Sequence, residues 1–147
     1  MSLVKTESFN SYDATLERLK EIYHSQCLFK YNALLEDLHF YFSNDGTLMC
    51  TFSCSAEHQS YDGMIHGGII SAIIDASMVQ CCMGHGVIAY TADLSIRYRK
   101  SMKINIRSML QTRIVSIHRG VLYSLESSIT QGDQLHIQAN GRFFKKN

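Results

Sequence analysis

The chain has 147 residues, 46% of them hydrophobic and 18% charged, with a formal net charge of +1. That is the length of a single domain with room for a real core, and the composition excludes a disordered chain. A charge so near zero gives no reason to expect nucleic acid or a membrane surface as partner.

The opening residues carry Lys5, Glu7 and Asp13 with no apolar run. No secretory leader is expected there, and the cytoplasm is the expected compartment. The five cysteines, Cys27, Cys50, Cys54, Cys81 and Cys82, contain no CxxC pair. Such spacing suits buried thiols in a reducing compartment better than a disulfide framework. Neither Cys50, Cys54 and His58 nor Cys81, Cys82 and His85 has zinc-ligand spacing, so no metal is expected.

From Tyr12 to His24 the apolar residues Leu16, Leu19, Ile22 and Tyr23 recur with a helical period. Ser11 or Asp13 is the expected cap. This helix belongs to an N-terminal extension, residues 1–30, of one domain spanning 1–147. Leu38 to Ser43 reads as a strand, Asn44-Asp45-Gly46 as a hairpin turn, and Thr47 to Ser55 as the returning strand. Glu57 to Ile65 is polar and reads as a loop.

Gly67 to Met83 is apolar on almost every side, the pattern of a buried helix. His66, Asp75 and Gln80 interrupt the apolar stretch, so it is not read as a membrane span. Gly84-His85-Gly86 ends it. Ala89 to Arg99 then alternates, with Leu94, Ile96 and Tyr98 on one face and Asp93, Ser95, Arg97 and Arg99 on the other. Ile104 to Ile117, Val121 to Thr130 and Leu135 to Phe144 read as further strands. The turns His118-Arg119-Gly120 and Gln131-Gly132-Asp133 join them into an antiparallel meander. One buried helix with this many strands is an α+β layer architecture.

The run His66-Gly67-Gly68-Ile69-Ile70-Ser71-Ala72-Ile73-Ile74-Asp75 resembles the HGG-x6-D signature of hotdog-fold thioesterases of the phenylacetate-degradation type. Tyr90-Thr91-Ala92-Asp93-Leu94-Ser95-Ile96-Arg97-Tyr98 is similar to their T-x-D/N-L-x-I-x-Y strand, and Tyr61 to Ile65 to the loop before HGG. The resemblance spans roughly Glu57 to Phe144. It implies an antiparallel sheet wrapped around one long central helix, a homodimer or dimer of dimers, and hydrolysis of acyl-CoA thioesters without metal or redox cofactor. Coenzyme A enters only as part of the substrate.

Thioester hydrolysis needs a nucleophile and donors for the developing oxyanion. Gly67 and Gly68 stand at a helix N-terminus, where N–H groups lack partners and no side chain blocks a carbonyl. One of the two is expected to polarise the thioester. Asp75 is the sole ionisable residue inside the buried helix and is expected to act as general base or as nucleophile. Gly67 and Asp75 lie eight residues apart, about 12 Å along a helix. That is too far for one carbonyl, so a working site would take them from different subunits. Thr91 is the candidate for positioning water or assisting Asp75, and His66 is the catalytic candidate for orienting the helix start and for touching the thioester side. Ser60 stands where many relatives carry Asn and is a candidate substrate contact. Arg97, Arg99, Lys100 and Lys103 form a basic cluster suited to coenzyme A phosphates.

Each of these residues also has a plain structural reading. Asp75 can be a carboxylate satisfied by a turn, His66 a loop histidine, the glycines a packing device and the basic cluster a solvated strand end. The main functional alternative is an acyl-CoA sensor without catalysis on the same fold. A dehydratase of this fold pairs histidine and carboxylate in a motif not found here. A purely structural protein has no need of an Asp behind two glycines.

Overall fold

The structure is a computed structural model that describes residues 9–23 and 38–147. The elements in chain order are α1 (Ser11–Tyr23), β1 (Tyr41–Phe42), β2 (Leu48–Phe52), a 3-10 turn (Ala56–His58), α2 (Gly67–Gly84), β3 (Ala89–Tyr98), β4 (Ser108–His118), β5 (Leu122–Gln131) and β6 (Gln134–Lys145). The strands form one six-stranded sheet in the order β1-β2-β4-β5-β6-β3, with every pairing antiparallel.

The sheet packs one face on α2, which contacts β2 through β6. The register explains the core. Leu110, Ile129 and Ile137 are directly opposed across β4, β5 and β6 and are fully buried with Ile73, Ile74 and Met78 of the helix. Burial of such side chains stabilises the fold by about 1.5–3 kcal/mol each. A chain of hydroxyls ties helix to sheet: Ser77 Oγ lies 2.8 Å from Thr112 Oγ1, which lies 2.6 Å from Ser127 Oγ. By length and hydropathy (mean 1.4) α2 resembles a membrane span, but 61% of it is buried inside the fold, as expected of a core helix.

Several element boundaries differ from the sequence reading. The cap of α1 is Asn10, not Ser11 or Asp13. Asn10 Oδ1 accepts from Asp13 N–H at 3.0 Å, and Asn10 N–H donates to Asp13 Oδ2 at 3.1 Å, a reciprocal capping pair. The continuation of this helix to His24, and Cys27, lie outside the described residues. The strand expected over Leu38 to Ser43 is only Tyr41–Phe42. Its outer edge meets α1: Phe42 N–H donates to Asp13 Oδ1 at 2.8 Å, and Asn10 Nδ2 donates to the Phe42 carbonyl at 2.8 Å. The helix start thus satisfies a sheet edge that would otherwise be open. The strand expected from Ile104 begins only at Ser108, because Asn105 takes a left-handed φ of 60°. Glu57 to Ile65 is not an unstructured loop; it carries the 3-10 turn and a Gln59–Ile65 bridge.

Asp13 serves both a helix cap and a strand edge, and it is 8% exposed. Asp13→Ala removes both acceptors and leaves the Phe42 N–H unpaired. We expect a loss of about 2 kcal/mol in unfolding free energy, read by urea titration. An unchanged midpoint would show that the Asp13 hydrogen bonds add nothing to the stability of the fold.

Cys50, Cys54, Cys81 and Cys82 are buried free thiols. Burial pushes the Cys50 and Cys82 thiols up to about 12 and the Cys54 thiol up to about 11, and raises Cys81 as well. Since the thiolate is the reactive form, these four should resist iodoacetamide at pH 8 until the protein unfolds. Mass spectrometry after native and denatured labelling checks this; rapid native alkylation of any of them would contradict the packing.

Candidate functional site

The start of α2 is built by His66. Its backbone is extended (φ −61°, ψ 129°), and its Nδ1 accepts the Gly68 N–H at 2.8 Å. Its carbonyl accepts the N–H groups of Ile69 and Ile70, and its own N–H donates to the His58 carbonyl at 2.7 Å. His66 is therefore the helix cap, oriented in turn by the 3-10 segment. The sequence reading left two glycine donors open, and this geometry separates them. Gly68 N–H is engaged by His66, whereas Gly67 N–H meets no acceptor among the described residues.

Neighbouring space distinguishes the glycines further. A Cβ at Gly68 would sit 3.0 Å from His66 Nδ1, close enough that the capping ring would have to shift by a few tenths of an ångström. The nearest described atoms to a Cβ at Gly67 would be those of the Tyr98 side chain at 3.7 to 3.8 Å, an ordinary contact. Among the described residues no close contact demands glycine at 67. An open approach to its N–H is what glycine leaves there.

Asp75 is half-buried on α2, and Thr91 Oγ1 donates to its Oδ1 at 2.7 Å. Its Oδ2 accepts no hydrogen bond among the described residues. The pairing of Thr91 with Asp75 depends on a β-bulge. The β3–β6 register shifts between Thr91 and Asp93, leaving Ala92 as the extra residue. Before the bulge Ala89 and Thr91 face the helix; after it Leu94, Ile96 and Tyr98 do. Simple alternation would have turned Thr91 outward. Asp93 points the other way and pairs with Arg142, whose Nε donates to its Oδ2 at 2.7 Å.

The structure divides the expected basic cluster. Arg97 lies on the sheet face opposite the helix, in a polar groove of about 640 Å³ with Ser95, Gln138 and Asn140. Arg99 Nε is bonded to Gln138 Oε1 and Lys100 Nζ to Gln134 Oε1, both at 2.7 Å. Within one subunit Arg97 and Arg99 are thus not brought to the helix start. Lys103 is closer to it in the architecture: it bridges Met64, while Ile65 N–H donates to the Met102 carbonyl at 2.8 Å. Ser60 is exposed in the same loop, its N–H bonded to the Met64 carbonyl at 3.0 Å.

Two residues at the helix start were missed from the sequence. Tyr98 OH donates to the Gly67 carbonyl at 2.9 Å, and Ser71 Oγ reaches the same oxygen at 3.0 Å. The signals were present: Tyr98 shares the helix-facing side of β3 with Ile96, and Ser71 is one helical turn after Gly67. Among the described residues no group of three His, Cys, Asp or Glu side chains is placed to hold a metal ion.

Comparison with known proteins agrees with this architecture. The mouse (Mus musculus) thioesterase superfamily member 2 structure superposes with a TM-score of 0.73 at 17% identity, covering 92% of this chain and 97% of that one. A Streptococcus mutans UA159 protein solved bound to acetyl CoA gives 0.71 at 22% identity, covering 80% of this chain and 94% of that one. The fold is the hotdog fold, an antiparallel sheet around one long helix. Residues 62–123 match the model of the thioesterase superfamily. The resemblance is thereby borne out at the level of the thioesterase superfamily. Over 107 residues, 72% of its length, the chain is 29% identical to the rat (Rattus norvegicus) acyl-coenzyme A thioesterase THEM4. The chain spans only 46% of that curated relative.

Proposed function

We propose that this protein hydrolyses acyl-CoA thioesters at a site completed by a second copy of the chain. The observation that carries the reading is the Asp75 carboxylate, held by Thr91 through one oxygen and open at the other. In this reading Asp75 Oδ2 takes a proton from water as the hydroxide attacks the thioester carbonyl carbon. Gly67 N–H of the other subunit receives the oxyanion. The tetrahedral species collapses to the carboxylic acid and expels the coenzyme A thiolate, which takes the proton that Asp75 removed from water and so restores the carboxylate. Direct attack by Asp75, through an anhydride that water then opens, yields the same products. In single turnover in ¹⁸O-water, label in the carboxylate of Asp75 establishes the anhydride route, since it enters only when water opens an anhydride at the Asp75 carbonyl.

The need for two subunits follows from the spacing of Gly67 and Asp75 along α2. The edge position of β3 supports it: among the described residues only β6 pairs with this ten-residue strand, and Tyr90 and Tyr98 on it are exposed. Edge pairing of two β3 strands about a two-fold axis would run two α2 helices antiparallel and set each Gly67 toward the other's Asp75. Lys100 and Lys103, on the β3–β4 connection beside the HGG loop, are the residues proposed to meet coenzyme A phosphates, with Arg97 and Arg99 contributing across the interface. His66 orients the donor, and Ser60 contacts the substrate from the loop. No metal or redox cofactor takes part. The cytoplasm is the proposed compartment, in keeping with the buried free thiols. The name of the rat relative and the acetyl CoA in the Streptococcus mutans structure support this substrate class.

The test is thiol release from a panel of acyl-CoAs of varied chain length, with acyl-CoA binding measured alongside. Turnover of some member identifies the acyl class. Binding without turnover on any member replaces hydrolysis with sensing.

A further inference from the structure

We infer that Tyr98 and Ser71 form a hydroxyl clamp on the Gly67 carbonyl and, by limiting rotation at Gly67, are positioning residues for the Gly67 N–H; the inference rests on the proposed thioesterase site. Two successive glycines are a poor way to begin a helix. Glycine loses the most conformational freedom on ordering, and first-turn amides lack intrahelical acceptors. An oxyanion donor must nevertheless be aimed before the reaction begins, since a group that reorients during the step loses its advantage. Something outside the glycines must supply the rigidity.

The clamp supplies it from two directions. Ser71 Oγ reaches the Gly67 carbonyl from one turn further along α2, at 3.0 Å. Tyr98 OH reaches the same oxygen from β3, at 2.9 Å. The two hydroxyls lie 2.6 Å apart. Two hydroxyl protons serve three short contacts, and two protons cannot share the contact between the hydroxyls. Whichever way the protons are arranged within the triangle, the Gly67 oxygen accepts at least one. The Tyr98 ring lies along Gly67 at the contact distance a Cβ would make, so it also limits movement of the bare Cα. The Gly67 N–H lies in the adjoining 66–67 peptide plane, which is held where the His66 carbonyl accepts the Ile69 and Ile70 N–H groups. With the 67–68 plane held by the clamp, rotation about both backbone bonds of Gly67 is limited and its N–H keeps its direction.

Tyr98 further couples the two halves of the chemistry. The same strand that holds Asp75 through Thr91 holds Gly67 through Tyr98. Strand β3 is thus a template for both groups. The bulge at Ala92 allows this, because it puts Thr91 and Tyr98 on one face although they are seven positions apart, an odd number.

The experiment uses the full chain with Tyr98→Phe, Ser71→Ala, their combination and Ser71→Thr. It measures steady-state thiol release with the best acyl-CoA of the panel and ¹⁵N relaxation of the Gly67 and Gly68 amides. Expected is a fall in kcat of about 10-fold for each single deletion and more for the pair. KM should stay within about two-fold of the parent, because the clamp aims a donor that matters most in the transition state. Ser71→Thr should restore kcat, since threonine can make the same bond back along the helix. The Gly67 amide should become more mobile in the paired variant while the unfolding midpoint holds. Unchanged kcat in the paired variant, with Asp75→Asn inactive, would overturn the clamp and leave the thioesterase reading standing. If the parent turns over no acyl-CoA, the thioesterase reading fails, and unchanged Gly67 amide mobility in the paired variant would overturn the clamp as well.

Discussion

Asp75→Asn and Asp75→Ala are each expected to slow thiol release from the best acyl-CoA by about 10²–10⁴-fold, with subunit assembly intact. The asparagine variant is the sharper of the two. It keeps the shape, and its side-chain oxygen can still accept the Thr91 hydroxyl that Asp75 Oδ1 accepts at 2.7 Å. What it lacks is a carboxylate oxygen able to take a proton from water or to attack carbon. Loss of activity with Asn therefore reports chemistry, whereas loss with Ala alone could follow from a broken hydrogen bond in a half-buried position. Thr91→Ala should cost less, about 10-fold, since it frees the carboxylate without removing it. Steady-state kinetics across the panel, with size-exclusion profiles of each variant, makes the comparison. Full activity in Asp75→Asn would exclude both the base and the nucleophile.

Much of this was legible in the sequence, for identifiable reasons. Helix α2 was readable because an apolar run with glycines at both ends leaves few alternatives, and its observed span, Gly67–Gly84, ends one residue beyond the reading. The meander β4, β5 and β6 was readable because its hairpins carry glycine turns and its strands alternate. The β3 bulge was not, because an extra residue leaves no mark in a run that is polar on both sides of Ala92. Yet that bulge brings Thr91 to Asp75. The shortness of β1 was hidden for another reason: its edge is closed by side chains of Asn10 and Asp13, some thirty residues earlier in the chain. Local patterns carry no trace of such partners. Similarly, the basic residues Arg97 to Lys103 are neighbours in sequence, but β3 ends at Tyr98, so Arg97 stays on the sheet while Lys100 and Lys103 fall on the connection to β4. At the helix start, histidine and two glycines announced a site, while the division of labour between Gly67 and Gly68 required seeing which N–H the His66 ring takes.

Mixing two inactive variants should restore activity, and this is the most direct test of a shared site. The first is Asp75→Asn. The second is Gly67→Pro, which deletes the proposed donor with little harm to the helix. Proline is favoured at the first helical position, where its missing N–H would have no intrahelical acceptor. The residue before it, His66, already has the extended backbone that a following proline demands (φ −61°, ψ 129°). Alone, Gly67→Pro should lose about 10²–10³-fold in kcat. In a hybrid dimer, the native Gly67 of one subunit faces the native Asp75 of the other, so one of the two sites is whole and the second lacks both groups. Random reassortment of equal amounts makes half of the dimers hybrid, and recovery should reach about one quarter of native activity. If Gly67 and Asp75 served one site within a single subunit, every site in the mixture would lack one group and activity would stay at the level of the separate variants. Recovery near one quarter thus requires that the site be shared, and its absence in mixtures shown by mass spectrometry to contain hybrids would place both groups of each site on one chain.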